Sequence, residues 1–292
     1  MDNKNINKTK SWSHLITFFI SYIFFVGIFQ TIGIYLAGLN LDNFRSVIRS
    51  SSQNFTIQFF SLTGTVLIIW LFRKYNNNKT FISLGFSKNH IAKDLFFGVL
   101  FGVLIMFSGF ICLLYFKQIE FVSFQLNIKD LLLSFGVFIF VALTEELLFR
   151  GYILSNLMDS FNKYVALTIS AIFFSLMHAP NPHISLMGLI AIAIAGFLFG
   201  LPYIYNRSLW FPIALHFSWN FCQGSIFGFN VSGTQQYSLI NTIYSKASLW
   251  NGGAFGFEGS VLCVFLSVVS LFLIYVIFRK RESSYLVLNE NN

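Results

Sequence analysis

Long apolar stretches alternate with short polar segments along this chain, and the stretches are close to the length of helix that crosses a bilayer, about 20 residues. They fall at 15–38, 57–72, 95–116, 131–149, 164–179, 184–205, 209–227 and 261–278. The pattern predicts an all-α fold: a polytopic transmembrane helical bundle of about eight helices. The opening, with Lys4, Lys8 and Lys10 before an apolar run, has the look of a secretion signal. The run continues to about Ala37 with no convincing cleavage site, so it reads as the first transmembrane helix. Pro180 and Pro182 stand between the fifth and sixth stretches, where they end one helix and turn the chain. Gly98 and Gly102, and Gly196 and Gly200, are spaced four apart, which lets helix backbones approach closely. The longest polar connections are 40–56 and 230–260, the second of which is placed to gate access from outside. The 292 residues therefore read as a single membrane domain, with 130–227 as its catalytic core.

Composition sharpens this reading. Hydrophobic residues make up 55% of the chain and charged ones 10%, where a soluble domain carries about 25% charge. The 39 phenylalanines exceed what one aqueous core hides, whereas lipid tolerates them. The net charge is +8, but the cations flank apolar spans and form no basic stripe, so the expected partner is the lipid bilayer and not nucleic acid. With both termini cytoplasmic, the inner segments hold Lys4, Lys8, Lys10, Arg73, Lys74, Lys79, Lys88, Lys93, Arg150, Lys163, Arg207, Arg279, Lys280 and Arg281. The outer loops then hold only Arg45, Arg49, Lys117, Lys129 and Lys246. That asymmetry favours an even number of spans in the cell membrane with both ends inside. Cys112, Cys222 and Cys263 all lie in apolar stretches without metal or redox spacing and read as packing residues.

The chemistry resides in ionisable residues inside apolar spans, where a charge costs a few kcal/mol or more and needs a partner. Glu145 and Glu146 are adjacent and close the fourth stretch. Arg150 lies four residues after Glu146, on the same helix face and in the better order for an ion pair, while Glu145 is rotated about 100° away. His178 ends the fifth stretch one turn after Phe174, and His216 lies in the seventh one turn before Asn220. Taken singly, the carboxylates are explained by snorkelling and each histidine by helix–helix hydrogen bonding. Together they form a kit for activating water. Glu145 is the general base, His178 holds the water, and His216 and Asn220 donate to the oxyanion of a peptide carbonyl under attack. One Glu with two His is also a catalytic zinc pattern, so a divalent metal such as zinc stays open, although His-Glu-x-x-His is absent.

At these residues the chain resembles the CAAX-processing and bacteriocin-processing intramembrane proteases, the type II CAAX endopeptidase or abortive-infection family. Glu145-Glu146-Leu-Leu-Phe-Arg150 resembles its Glu-Glu-x-x-x-Arg motif, Phe174 to His178 its Phe-x-x-x-His motif, and His216 to Asn220 its His-x-x-x-Asn motif. The run from Gly252 to Gly259 resembles a glycine-rich segment of bacterial members. The resemblance implies a helical membrane fold with a cavity open to the cytosolic side. It implies Glu145 as base, His178 as its partner on the water, and His216 with Asn220 near the oxyanion or a metal. Glu146 and Arg150 would hold the site together. A chain so rich in Phe, Asn, Lys and Ile looks bacterial, and bacteria generally lack prenylated substrates. The implied substrate is thus a peptide or membrane-associated protein, in peptide maturation or self-immunity. The alternatives are a proton-coupled transporter, disfavoured by the lack of an inverted repeat, and a non-catalytic immunity protein.

Overall fold

A computed structural model describes residues 3–42, 48–86 and 90–290, and side chains within 14–42, 48–86 and 90–281. Arg45 and Lys88 of the charge count lie outside the described residues, as do the side chains of Lys4, Lys8 and Lys10. Among the described residues there are eight helices: α1 (Asn3–Leu36), α2 (Ser51–Leu71), α3 (Ile91–Tyr115), α4 (Ile128–Glu146), α5 (Lys163–Met177), α6 (Leu186–Asn206), α7 (Trp210–Phe221) and α8 (Val261–Glu290). Local sequence sets several starts. Ser50 and Gln53 form a reciprocal capping box on α2, and Asn127, Asn162 and Ser185 accept the first free N–H groups of α4, α5 and α6. Pro180 and Pro182 fall in the turn between α5 and α6, as expected.

Among the described residues, six helical stretches are long and apolar enough to cross a bilayer. The other two, α5 and α7, are shorter, with 15 and 12 residues. α7 can be short because it is enclosed: it packs along α3 and against α4 and α6, and most of its residues are buried. The glycine pairs make these contacts possible. A Cβ on Gly98 would stand 2.6 Å from the Phe211 carbonyl of α7, and one on Gly196 would stand 2.9 Å from Cα of Ala171 in α5.

The structure corrects one placement. Glu145 and Glu146 do not close a span: the helical stretch runs on from Ile128 to Leu157, so both acids lie well inside it. The continuation Leu147–Leu154 is π-helical, as are Cys222–Ile226 after α7 and Phe72–Asn76 after α2. A small antiparallel sheet, β1 (Ile119–Phe124) with β2 (Ile240–Tyr244), was not anticipated. Its register shifts between Phe121 and Ser123. It ties the segment after α3 to the long connection between α7 and α8, at the end of the bundle where α5 finishes and α6 begins.

Candidate active site

Three helices bring the motif residues together. On α4, Glu146 is fully buried and its Oε1 accepts from Arg150 Nη1 at 2.9 Å. Arg150 also donates from Nη2 to the Gly196 carbonyl of α6 at 3.0 Å, and its guanidinium lies 4.6 Å from the Phe174 ring centre. A buried ion pair persists only with such further partners. The same Glu146 oxygen accepts from His216 Nδ1 at 2.8 Å. Because Arg150 donates to this same oxygen, Nδ1 of His216 is the donor in its bond to Glu146, and Nε2 points onward. The His216 ring is stacked on Phe199, with centres 4.7 Å apart, which fixes its plane.

Glu145 has different surroundings. Its side chain keeps a quarter of its exposure, and Oε2 has no hydrogen-bond partner among the described residues. That oxygen lies 3.7 Å from His178 Nε2 and 3.8 Å from His216 Nε2. Both distances exceed a direct hydrogen bond. His178 Nδ1 donates to the Phe174 carbonyl at 2.7 Å, so its Nε2 also faces Glu145. The Phe-x-x-x-His spacing thus works through the Phe174 backbone, which orients the imidazole. Asn220 is buried on α7 and lines the same cavity. Glu145, His178, His216 and Asn220 thus line one chamber, and Glu146 with Arg150 lies buried behind His216.

The chamber opens into a cavity of about 430 Å³. Its walls reach Arg49 and Asn54 at the start of α2, Pro182 after α5, and Ser232 and Gln236 of the α7–α8 connection. Asn54 joins two of these segments, accepting from Arg49 Nε at 2.7 Å and donating to Gln236 Oε1 at 3.1 Å. The polar mouth therefore lies at the end of the bundle opposite the chain termini. Two expectations collide here: with the termini inside, a cavity on this side faces outward, so the charge bias and the cytosolic opening implied by the resemblance exclude one another.

Glu258 also lines this cavity, and sequence reasoning assigned it no role. It is buried, accepts from the Ser232 backbone N–H, and interacts electrostatically with His178 and Glu145. Burial pushes its carboxyl above the usual range, opposed by the Ser232 bond and His178. Its signal was an acid placed without a counter-charge between Gly256-Phe257 and an apolar helix.

A tetrahedral metal with bonds of about 2.0–2.2 Å sets its donors about 3.4 Å apart. The separations at Glu145 are wider, and among the described residues no group of three or more His, Cys, Asp or Glu side chains is arranged to hold an ion. As arranged, the residues do not form a metal-ligand set, and no step below passes through one.

Fold and site define a class: a multi-pass helical membrane protein with a glutamate–histidine chamber sunk among its helices. Residues 127–222, from the start of α4 to the end of α7, match the family described as type II CAAX prenyl endopeptidase Rce1-like. This is the family that the three motifs resemble, one of proteases acting on peptide or protein substrates in a membrane. No curated protein and no solved structure matches the chain.

Proposed function

We propose that this protein is an intramembrane endopeptidase that hydrolyses a peptide bond with water activated by Glu145. The observation that carries the reading is the convergence of Glu145 Oε2 with the Nε2 atoms of His178 and His216. Gaps of this width are filled by one bridging water. Such a water donates one hydrogen to Glu145 and the other to the His178 lone pair, leaving its own lone pair for the carbonyl carbon. As the C–O bond forms, Glu145 takes the proton and the carbonyl oxygen becomes an oxyanion. Asn220 Nδ2 donates to it. His216, whose Nδ1 is bonded to Glu146, donates from Nε2 when its ring carries both protons. Glu145 then passes its proton to the leaving nitrogen as the C–N bond breaks, and two peptides leave.

The cavity volume is in the range of clefts that hold small ligands, about 300–1,000 Å³. It admits a few residues of extended chain and excludes a folded domain. The substrate we infer is a membrane-borne peptide or the tail of a membrane-associated protein. In orientation we favour the charge bias, with both termini cytoplasmic and the chamber mouth outward. Peptide processing or self-immunity at the cell surface fits that geometry better than trimming of cytosolic prenylated tails.

The test is cleavage of quenched peptides, prenylated and unprenylated, by the full chain in bilayers. Glu145→Gln and His178→Ala are each expected to lose cleavage, Glu145→Gln by about 10²–10⁴-fold. Full activity in both variants overturns the assignment.

A further inference from the structure

A second pocket, of about 420 Å³, lies at the other end of the bundle, where α2, the continuation of α4 and α6 finish. Arg73 is its buried element, with 1% exposure in the π-helical turn after α2. Its Nη2 donates to Ser83 Oγ, but Nε and Nη1 have no acceptor among the described residues. A buried guanidinium with two unpartnered nitrogens is costly, and folded proteins rarely leave one so. The other charged walls are Lys79, Asp159 and Arg207. Asp159 is engaged by Lys79 at 3.0 Å. Arg207 is exposed, and its left-handed backbone (φ 54°) ends α6 at the pocket. The pocket thus has two cations in excess of its one carboxylate.

Its depth in the membrane is marked by aromatic residues. Trp70 and Tyr75, three residues before and two after Arg73 in the chain, are exposed, with the Lys74 ammonium 5.0 and 5.1 Å from their ring centres. Tryptophan, tyrosine and lysine of this kind form the belt at a membrane–water interface. We propose that the pocket formed by Arg73, Lys79 and Arg207 binds a phosphate oxyanion, which accepts from Arg73 Nε and Nη1 while Arg207 closes over it. Guanidinium forks suit this ligand, since phosphate oxygens accept paired N–H bonds. A phospholipid headgroup and a soluble phosphate offer the same chemistry at this depth. The site is remote from the chamber and does not rest on the protease reading.

The experiment uses the full chain in detergent. Native mass spectrometry first counts retained phospholipid. Thermal unfolding is then followed while titrating phosphatidylglycerol in mixed micelles or, separately, inorganic phosphate. Expected is either a retained phospholipid or a saturable stabilisation, with the half-saturating concentration raised about tenfold in Arg207→Gln. Lys129→Gln, which removes one exposed cation at the opposite end, should match wild type. Because Arg207 is exposed, its variant should fold even if Arg73→Ala does not. An effect of phosphatidylglycerol alone, or retained lipid, identifies a headgroup site; an effect of inorganic phosphate identifies a soluble ligand; both support the proposal. No retained lipid with no saturable shift overturns it. So does an unchanged Arg207→Gln, or an equal loss in Lys129→Gln.

Discussion

Replacing Glu146 by Gln removes the one negative charge in contact with Arg150 and keeps the shape of the side chain. Arg150 would then rest on an amide oxygen, the Gly196 carbonyl and the Phe174 ring, at 1% exposure. Breaking a buried pair by removing one partner typically costs 3–5 kcal/mol, about 3 kcal/mol here because the amide oxygen still accepts from Nη1. The corresponding fall in melting temperature is on the order of 10 °C. The same change at Glu145 should behave differently. Its Oε2 holds no hydrogen bond, and the side chain is a quarter exposed, so Glu145→Gln should stay within about 0.5 kcal/mol of wild type. Activity should nonetheless fall by about 10²–10⁴-fold, the usual worth of a general base. Thermal unfolding of both variants in one detergent, followed by circular dichroism, separates the two roles. If Glu146→Gln melts with wild type, or Glu145→Gln is the less stable of the two, the division between supporting and reacting carboxylate is wrong.

Other consequences can be measured with the same preparation. His178→Ala should lower kcat with little change in KM, because the imidazole faces the water and not the peptide; a rise in KM alone would contradict this. Glu258 is an acid whose folded pKa lies above its unfolded value, so it contributes most to stability below about pH 4.5 and progressively less as pH rises toward its folded pKa. Glu258→Gln should therefore raise the melting temperature more at pH 8 than at pH 5, and an equal effect at both would remove the burial argument. A Cβ on Gly102 would collide with Ser218 Oγ and stand 2.8 Å from the Trp219 nitrogen, so Gly102→Val should destabilise by about 1–3 kcal/mol by forcing α3 from α7. Single cysteines at Gln235, by the chamber mouth, and at Arg279, near the C-terminus, should react with an impermeant thiol reagent on opposite sides of the membrane, Gln235 from outside. Labelling of Gln235 from the cytosol would reverse the orientation and restore a cytosolic opening.

The bundle was legible because lipid leaves a simple imprint: runs of apolar residues broken by caps and prolines. The site was legible because membrane depth makes polar residues expensive, so Glu145, Glu146, His178, His216 and Asn220 stood out against apolar neighbours. Much of the rest depends on contacts distant in sequence. The strands β1 and β2 lie in segments that read as loops, since a two-stranded pairing needs both partners known. The π-helical turns after Glu146 and Phe221 change the facing of every residue beyond them, and no local periodicity announces them. Glu258 sits in a connection, where an acid ordinarily means solvent; only the fold shows that this connection caps the chamber.

In the proposed reaction two adjacent carboxylates take opposite tasks, and their partners decide which is which. Glu146 faces Arg150 and His216, so one oxygen carries two polar bonds and orients an imidazole. Glu145, one residue earlier, turns toward the cavity, where its Oε2 meets only two ring nitrogens beyond bonding distance. Glu146 does not line the cavity and its Oε1 already accepts from two donors, so it is poorly placed to take a proton there. An anion at the edge of a cavity, with imidazoles set to hold a water against it, is free to accept a proton. The π-helical continuation of α4 suits this division. It begins at the residue after the pair and runs through Arg150, at the point where the guanidinium must reach both Glu146 and the α6 backbone. Inserted turns of this kind recur where a helix must aim a side chain that regular geometry would misplace. On the proposed mechanism the chemistry depends on the helical irregularity as well as on the motif, and a change that restores regular α-helix after Glu146 should weaken cleavage while leaving every motif residue in place.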